Sequence, residues 1–345
     1  MSSSLDYADF VIRAANLRSG QTVEIVSPKE CSEIVKILTD LLIKQKIKVV
    51  ITYTNEEDEY YAHRLESFYD DLIDENFARI TIISSFIKPR SPKYIAHQTL
   101  KLKNYFHNNI SQRTIMAYPN ENWANMIGIQ YLELKNRMID LSLRDNLLSA
   151  YIDSLGELDI VSACIKSQLG TNLHLKFTEG FRFFDAYLRT SNGIPFKANV
   201  PSLEIFAAPD KYSVNGIIVG SKPVYVNNRV IKGFSAEFKD GRIINSKGLD
   251  SLISVDDSLK YVGEIGIAFY SDFVFYNTLL DENLSTHIAL GNAYKMGVRK
   301  KEYNKINESP YHIDLPIGDK SLIIEFMNKD DLVVAIFKNE KLEIL

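Results

Sequence analysis

His312 and Asp314 stand two residues apart in SPYHIDLPIGD, residues 309–319, a stretch that otherwise reads as an apolar strand. Side chains at i and i+2 of a strand leave from the same face, so an imidazole and a carboxylate project together while Ile313 and Leu315 take the other side. Three further segments put ionisable groups where a packed core would not choose them. Glu204 in VPSLEIFAAP shares a strand face with Ser202 and Phe206, against Leu203 and Ile205, and would be costly to bury without a partner. Glu264 in YVGEIGIAFY lies among Val262, Gly266 and Ala268, small neighbours that leave room for a ligand or ion. FYNTLLDENLSTHIALGNAY reads as a helix around residues 281–294, entered through Asp281, Glu282 and Asn283. Seven residues is close to two helical turns, which would set His287 and Tyr294 on one stripe with Asn283.

Neutral imidazole and carboxylate are both good ligands for zinc, cobalt or manganese. Taken singly, each position has a plainer reading: a buried salt bridge or edge position for Glu204, a hydrogen-bonded core residue for Glu264, a satisfied polar residue for His287, and a pair orienting one another for His312 and Asp314. Taken together, two Glu, two His and one Asp inside regular elements fit a binuclear metal site with a bridging carboxylate. No HExxH and no GxSxG occurs, which removes the commonest helical zinc-protease and serine-hydrolase readings. His63, His97, His107 and His174 lack comparable acidic surroundings and read as structural or surface residues.

The elements that must carry these groups divide the chain. Through the first half, strand patterns (QTVEIVS, KVVITYT, ARITIISS, RTIMAYP) alternate with helical ones (CSEIVKILTDLLIKQK, DEYYAHRLESFY, SPKYIAHQTLKLKNYF), the signature of an α/β domain with a mostly parallel sheet. Ser27, Pro28 and Glu30 supply an N-cap, a helix-starting proline and the third position of a capping box. Trp123, the only tryptophan, reads as a core or interface aromatic. Residues from about 133 to 168 look mostly helical, broken near Gly156, and bridge to a second α+β, largely β-sheet domain. There, short strands are punctuated by turn pairs, with Asn227-Asn228 and Asp240-Gly241 marking hairpins. The expected domains are 1–168 and 169–345, the second being the metal-binding catalytic one.

Composition narrows the partners. With 345 residues, 46% apolar and 24% charged, the chain has the balance of a folded soluble protein, and a net charge of −4 without a basic stripe argues against nucleic acid. No window approaches the roughly 20 apolar residues of a membrane span. No GxGxxG or GxxxxGK[ST] supports a nucleotide site, and Cys31 and Cys164 form no CxxC, so free thiols in a cytoplasmic protein are expected.

The strings PSLEIFAAP, GEIGIA, FYNTLLDENLSTHIALGNAY and NESPYHIDLPIG, in that order, resemble the thermophilic-type metalloaminopeptidases, the aminopeptidase T, aminopeptidase S and PepS family. Weaker likeness runs through KPVYVNNRVIKGFSAEFKDGRI and TIMAYPNENWA. The resemblance implies a homodimeric hydrolase that removes N-terminal residues from peptides with a free N-terminus. It implies two divalent ions, zinc, cobalt or manganese, held by Glu204, Glu264, His287, His312 and Asp314, with Tyr294 as a catalytic group; Glu264 is the bridge expected here. Leu203 stands where the family usually has glycine and Ala207 where threonine is common, departures that bear on pocket shape. The first domain also looks shorter than in typical members, which bears on access and dimer geometry. The alternative is a metal- or peptide-binding protein of the same fold without turnover.

Overall fold

The computed structural model describes residues 3–54, 76–87, 111–226 and 229–345. Their contacts form two units: Met1–Arg144 with Ala186–Ser202, and Asp145–Asp185 with Leu203–Leu345.

In the first unit, β1 (Thr22–Ser27), β2 (Lys48–Tyr53), β3 (Phe77–Ile83) and β4 (Arg113–Ala117) run parallel in the order β2-β1-β3-β4, with the short Asn199–Val200 strand beyond β4. β1 is buried along nearly its whole length, as a central parallel strand is. Glu24, in the middle of β1, is satisfied by Arg79 Nε of β3 at 3.2 Å and by the Thr52 hydroxyl of β2, which donates to it at 2.8 Å. Helix α1 (Ser4–Ala14) buries Tyr7, Ala8, Val11 and Ile12, and α2 (Ser32–Lys44) buries Ile34, Val35, Leu38 and Leu42, the faces their spacing dictates. Trp123 is fully buried in α3 (Glu121–Ile127), where the Asn120 side chain accepts its N–H at 2.8 Å.

The entry to α2 differs from expectation. Ser27 ends β1 and donates its hydroxyl to the Pro28 carbonyl at 2.9 Å, Lys29–Cys31 forms one 3₁₀ turn without a side-chain cap, and the α-helix begins at Ser32. Proline there completes the exit from the strand instead of opening the helix. The helices expected over DEYYAHRLESFY and SPKYIAHQTLKLKNYF, with His63, His97 and His107, lie outside the described residues, as does the Asn227-Asn228 turn.

The second unit is built mainly on two antiparallel sheets, with a small two-stranded one of Val224–Val226 and Arg229–Ile231 beside them in the chain. The larger has eight strands in the order Arg242–Lys247, Ser235–Lys239, Asn215–Val219, Asn172–Lys176, Ile160–Lys166, Ile323–Asn328, Val333–Lys338, Lys341–Ile344. The smaller pairs β5 (Glu204–Ala207), β6 (Val262–Ala268), β7 (His287–Gly291) and β8 (His312–Pro316) in sequence order. One apolar core includes Ile165, Leu175, Phe326 and Phe337 of the larger sheet and Ile205, Ile265, Ile288 and Leu315 of the smaller. The fold class read from the sequence, a parallel α/β domain and a largely β second domain, is therefore present. Asp240 and Gly241, at φ 49° and 84°, make the expected hairpin turn; two consecutive positive φ values belong to a type I′ turn.

Two expectations are corrected. Residues 145–168 belong with the second unit, because Ile160–Lys166 is a central strand of its larger sheet and not the end of a helical bridge; helix stops at Glu157. The helix expected over 281–294 is only the five-residue α4 (Thr278–Glu282), after which His287–Gly291 is strand β7. In HIALG, His287, Ala289 and Gly291 alternate with Ile288 and Leu290, a period of two that lets β7 pair with strands on both sides. Among the described residues no helix is long and apolar enough to cross a membrane.

Candidate metal centre

Register explains why ionisable side chains collect on one face of the four-stranded sheet. Glu204 pairs with Ala268, Glu264 with Ala289, His287 with Gly266, Asp314 with Ala289 and His312 with Gly291. Every one of these ionisable side chains thus has a glycine or alanine as a cross-strand partner, and the empty space beside it is filled by the next polar group. Gly266 is the tightest case: a Cβ there would collide with the His287 imidazole and come within 2.9 Å of Glu204 Oε2. Alternate residues, Ile205, Ile265, Ile267, Ile288, Leu290, Ile313 and Leu315, point into the core.

The five side chains converge around His287, which is 1% exposed. Its Nε2 lies 3.4 Å from Glu204 Oε2, 3.6 Å from Glu264 Oε1 and 3.7 Å from Asp314 Oδ1. His312 Nε2 lies 3.1 Å from Asp314 Oδ1 and 3.9 Å from Glu264 Oε1. Both imidazoles are oriented from behind by backbone: His312 Nδ1 is 2.8 Å from the Asn292 carbonyl and His287 Nδ1 is 3.3 Å from that of Ser285. A donor role for each Nδ1 leaves each Nε2 facing the carboxylates, the arrangement metal-binding histidines use.

Electrostatics show how crowded the cluster is. Burial, with Glu264 and Asp314 adding to it against the pull of His287, pushes the Glu204 carboxyl up to about 7. Burial disfavours a charged His287, yet the carboxylates, Glu204 foremost, lift it to about 9. Asp314, despite burial, is held well below the usual carboxylate range by His312 and His287.

This donor set fits a divalent cation. Ligand atoms of Glu264, His287 and Asp314 all lie within 4.8 Å of one another. Glu204 Oε2 and Asp314 Oδ1 are buried and accept no hydrogen bond, leaving two orphaned acceptors in the middle of the cluster. Carboxylate and imidazole donors are those that zinc, cobalt and manganese take.

Tyr294 reaches the cluster by a route other than the expected helical stripe. It follows β7, and its ring centroid lies 5.0 Å from that of His312 and 6.1 Å from that of Phe206, with 40% of the residue exposed. Asn283 does not join this group: its side-chain oxygen accepts the Leu203 N–H and its amide donates to the Leu279 carbonyl at 2.8 Å. This pins the residue before Glu204, whose own carbonyl accepts from Asn146 Nδ2 at 2.7 Å.

Glu282 was not singled out by its sequence position. It is 9% exposed and sits against Asp314; burial first, then Asp314 and Glu204, raise its pKa well above the ordinary value. The signal was there in Asp281-Glu282-Asn283, three polar residues between apolar neighbours, but it reads equally well as a solvated helix entry.

Comparison with known proteins places the chain in a family. Residues 120–341 match the family described as thermophilic metalloprotease (M29). The chain is 31% identical to aminopeptidase AmpS of Bacillus subtilis over 215 residues, covering 56% of this chain and 52%, about half, of that protein. It is 25% identical to aminopeptidase 2 of Geobacillus stearothermophilus over 395 residues, 96% of each. The solved structure of wild-type AmpT from Thermus thermophilus superposes with a TM-score of 0.79 over 95% of this chain and 96% of that one; at 21% identity this is a likeness of fold.

Proposed function

Because the chain belongs to the thermophilic metalloprotease (M29) family, by a match over residues 120–341, we propose that it is an aminopeptidase in which Glu204, Glu264, His287, His312 and Asp314 hold two divalent ions, zinc, cobalt or manganese. Glu264, within 4 Å of both imidazoles, is the proposed bridge. The observation that carries the reading is the convergence of these five side chains on one sheet face, with two buried carboxylate oxygens that accept no hydrogen bond.

Divalent ions held there would supply Lewis-acid chemistry, polarising a peptide carbonyl and acidifying water near neutral pH. The protein's own groups do the rest. The carboxylates draw in the α-amine of a peptide with a free N-terminus, which accounts for action at chain ends. Tyr294, beside His312 and open to solvent, donates its phenolic hydrogen to the oxygen that gains charge as the peptide bond is attacked, a role worth about 2.7–4 kcal/mol for one well-placed donor. Action on peptides in the cytoplasm as a homodimer completes the proposal.

Release of p-nitroaniline from aminoacyl p-nitroanilides tests it: chelation is expected to abolish release and zinc, cobalt or manganese to restore it. A chain that binds metal without turnover would be a binding protein instead, and one that binds no divalent ion would end the reading. Glu264→Gln is expected to lower turnover severely while the protein stays folded.

A further inference from the structure

The seven residues from Asp281 to His287 run from the last turn of α4 to the first residue of β7, and none is more than 9% exposed although six are polar. A loop that carries so many polar groups into the interior needs a partner for each. Asp281 accepts the N–H groups of Phe275 and Asn277 at 2.7 and 2.9 Å, and Ser285 Oγ donates to the Gly318 carbonyl at 3.0 Å. The Leu284 carbonyl takes the Ser271 N–H at 3.0 Å and, at 2.9 Å, the ammonium of Lys222.

Lys222 is unusual in its own right. It is 5% exposed, its Nζ also donates to the Phe273 carbonyl at 3.2 Å, and it lies 5.2 Å from the centre of the Tyr270 ring. Burial pulls its pKa down to about 8, with Asp281 and Asp272 opposing, so it carries its charge at neutral pH. Methionine would fill this space without that desolvation cost but would leave the Leu284 and Phe273 carbonyls without this donor. The preceding residue, Ser221, donates its N–H to the Pro316 carbonyl at the end of β8, so this short strap touches the strand that carries His312 and, through Leu284, the segment that leads into β7.

We propose that Lys222 is a positioning residue: by fixing the Leu284 and Phe273 carbonyls it locks the Asp281–Thr286 connection, and so sets Glu282 against Asp314 and His287 against its carboxylates. The proposal rests on reading His287 as a metal ligand, and its test separates the two. In metal-free protein, Lys222→Met is expected to speed amide hydrogen exchange about tenfold or more in peptides covering 281–287, while peptides of the eight-stranded sheet exchange as in wild type. Zinc titrated into the same variant is expected to bind about tenfold more weakly or worse. Lys222→Arg, which keeps the donors, is expected to recover most of both. Unchanged exchange in 281–287, or acceleration spread evenly over both sheets, overturns the proposal, as does an arginine variant no better than methionine. If Lys222→Met does not fold, Lys222→Arg decides alone: a folded protein with the connection protected supports the proposal, and one with that protection lost overturns it. Failure of the wild type to bind zinc would strike the ligand reading while leaving the exchange comparison intact.

Discussion

On one face of the sheet formed by β5 to β8, isoleucines and leucines fill space and nothing is charged; on the other, alternate positions of the same strands carry three carboxylates, two imidazoles and the glycines and alanines between them. The apolar face is organised by volume, and neighbouring side chains there can trade methyl groups at modest cost. The polar face is organised by vacancy: each functional group needs a partner position with almost no side chain. Because a strand alternates, the two demands are met by one short segment, and a residue's face decides which kind of substitution it tolerates.

Substituting on each face in turn should break this contrast or sharpen it. The largest effect is expected from Gly266→Ala, whose added methyl must displace His287 or Glu204. Activity per folded molecule should fall about 10²-fold or more, as a misplacement of about 1 Å can cause, with zinc affinity reduced alongside. Activity and calorimetric metal titration would check it, and a variant of wild-type activity would show that the cradle has slack. Ile265→Ala, one residue away on the other face, should do the reverse: a loss of about 2–5 kcal/mol in unfolding free energy, read by denaturant titration, with turnover per folded molecule unchanged.

The smallest expected effect concerns pH. The folded pKa of Lys222, about 8, lies below the ordinary lysine value of about 10.4, so between those limits the unfolded chain binds more protons than the folded one. Its contribution to stability is therefore greatest above the unfolded value and is lost as pH falls through about 8. The stability difference between wild type and Lys222→Met should move in favour of wild type as pH rises across that window. The difference between wild type and Ile265→Ala should stay flat.

Much of this was legible in the sequence, for local reasons. His312 and Asp314 obey a period of two, the face of α2 obeys helical spacing, and Asp240-Gly241 specifies its turn without help from distant residues. His287 was legible as a member of the ionisable cluster and illegible as a strand residue. Leu284 and Ile288 are four apart, as on a helix, and only pairing with β6 and β8, both distant in sequence, selects the extended form. Ile160–Lys166 is a similar case, since its place between Asn172–Lys176 and Ile323–Asn328 is set by a partner near the other end of the chain. Glu282 announces itself only through Asp314, which no local pattern connects to it.

The orientation of the two imidazoles has a consequence for how this centre can change. Ser285 and Asn292 hold His287 and His312 through main-chain oxygens, which every amino acid possesses. Replacing either residue alters a side chain and leaves the acceptor in place. The choice of which ring nitrogen faces the carboxylates is therefore a property of the chain's path, heritable with the fold itself, and sequence drift at positions 285 and 292 can reshape the surroundings without turning either ring around.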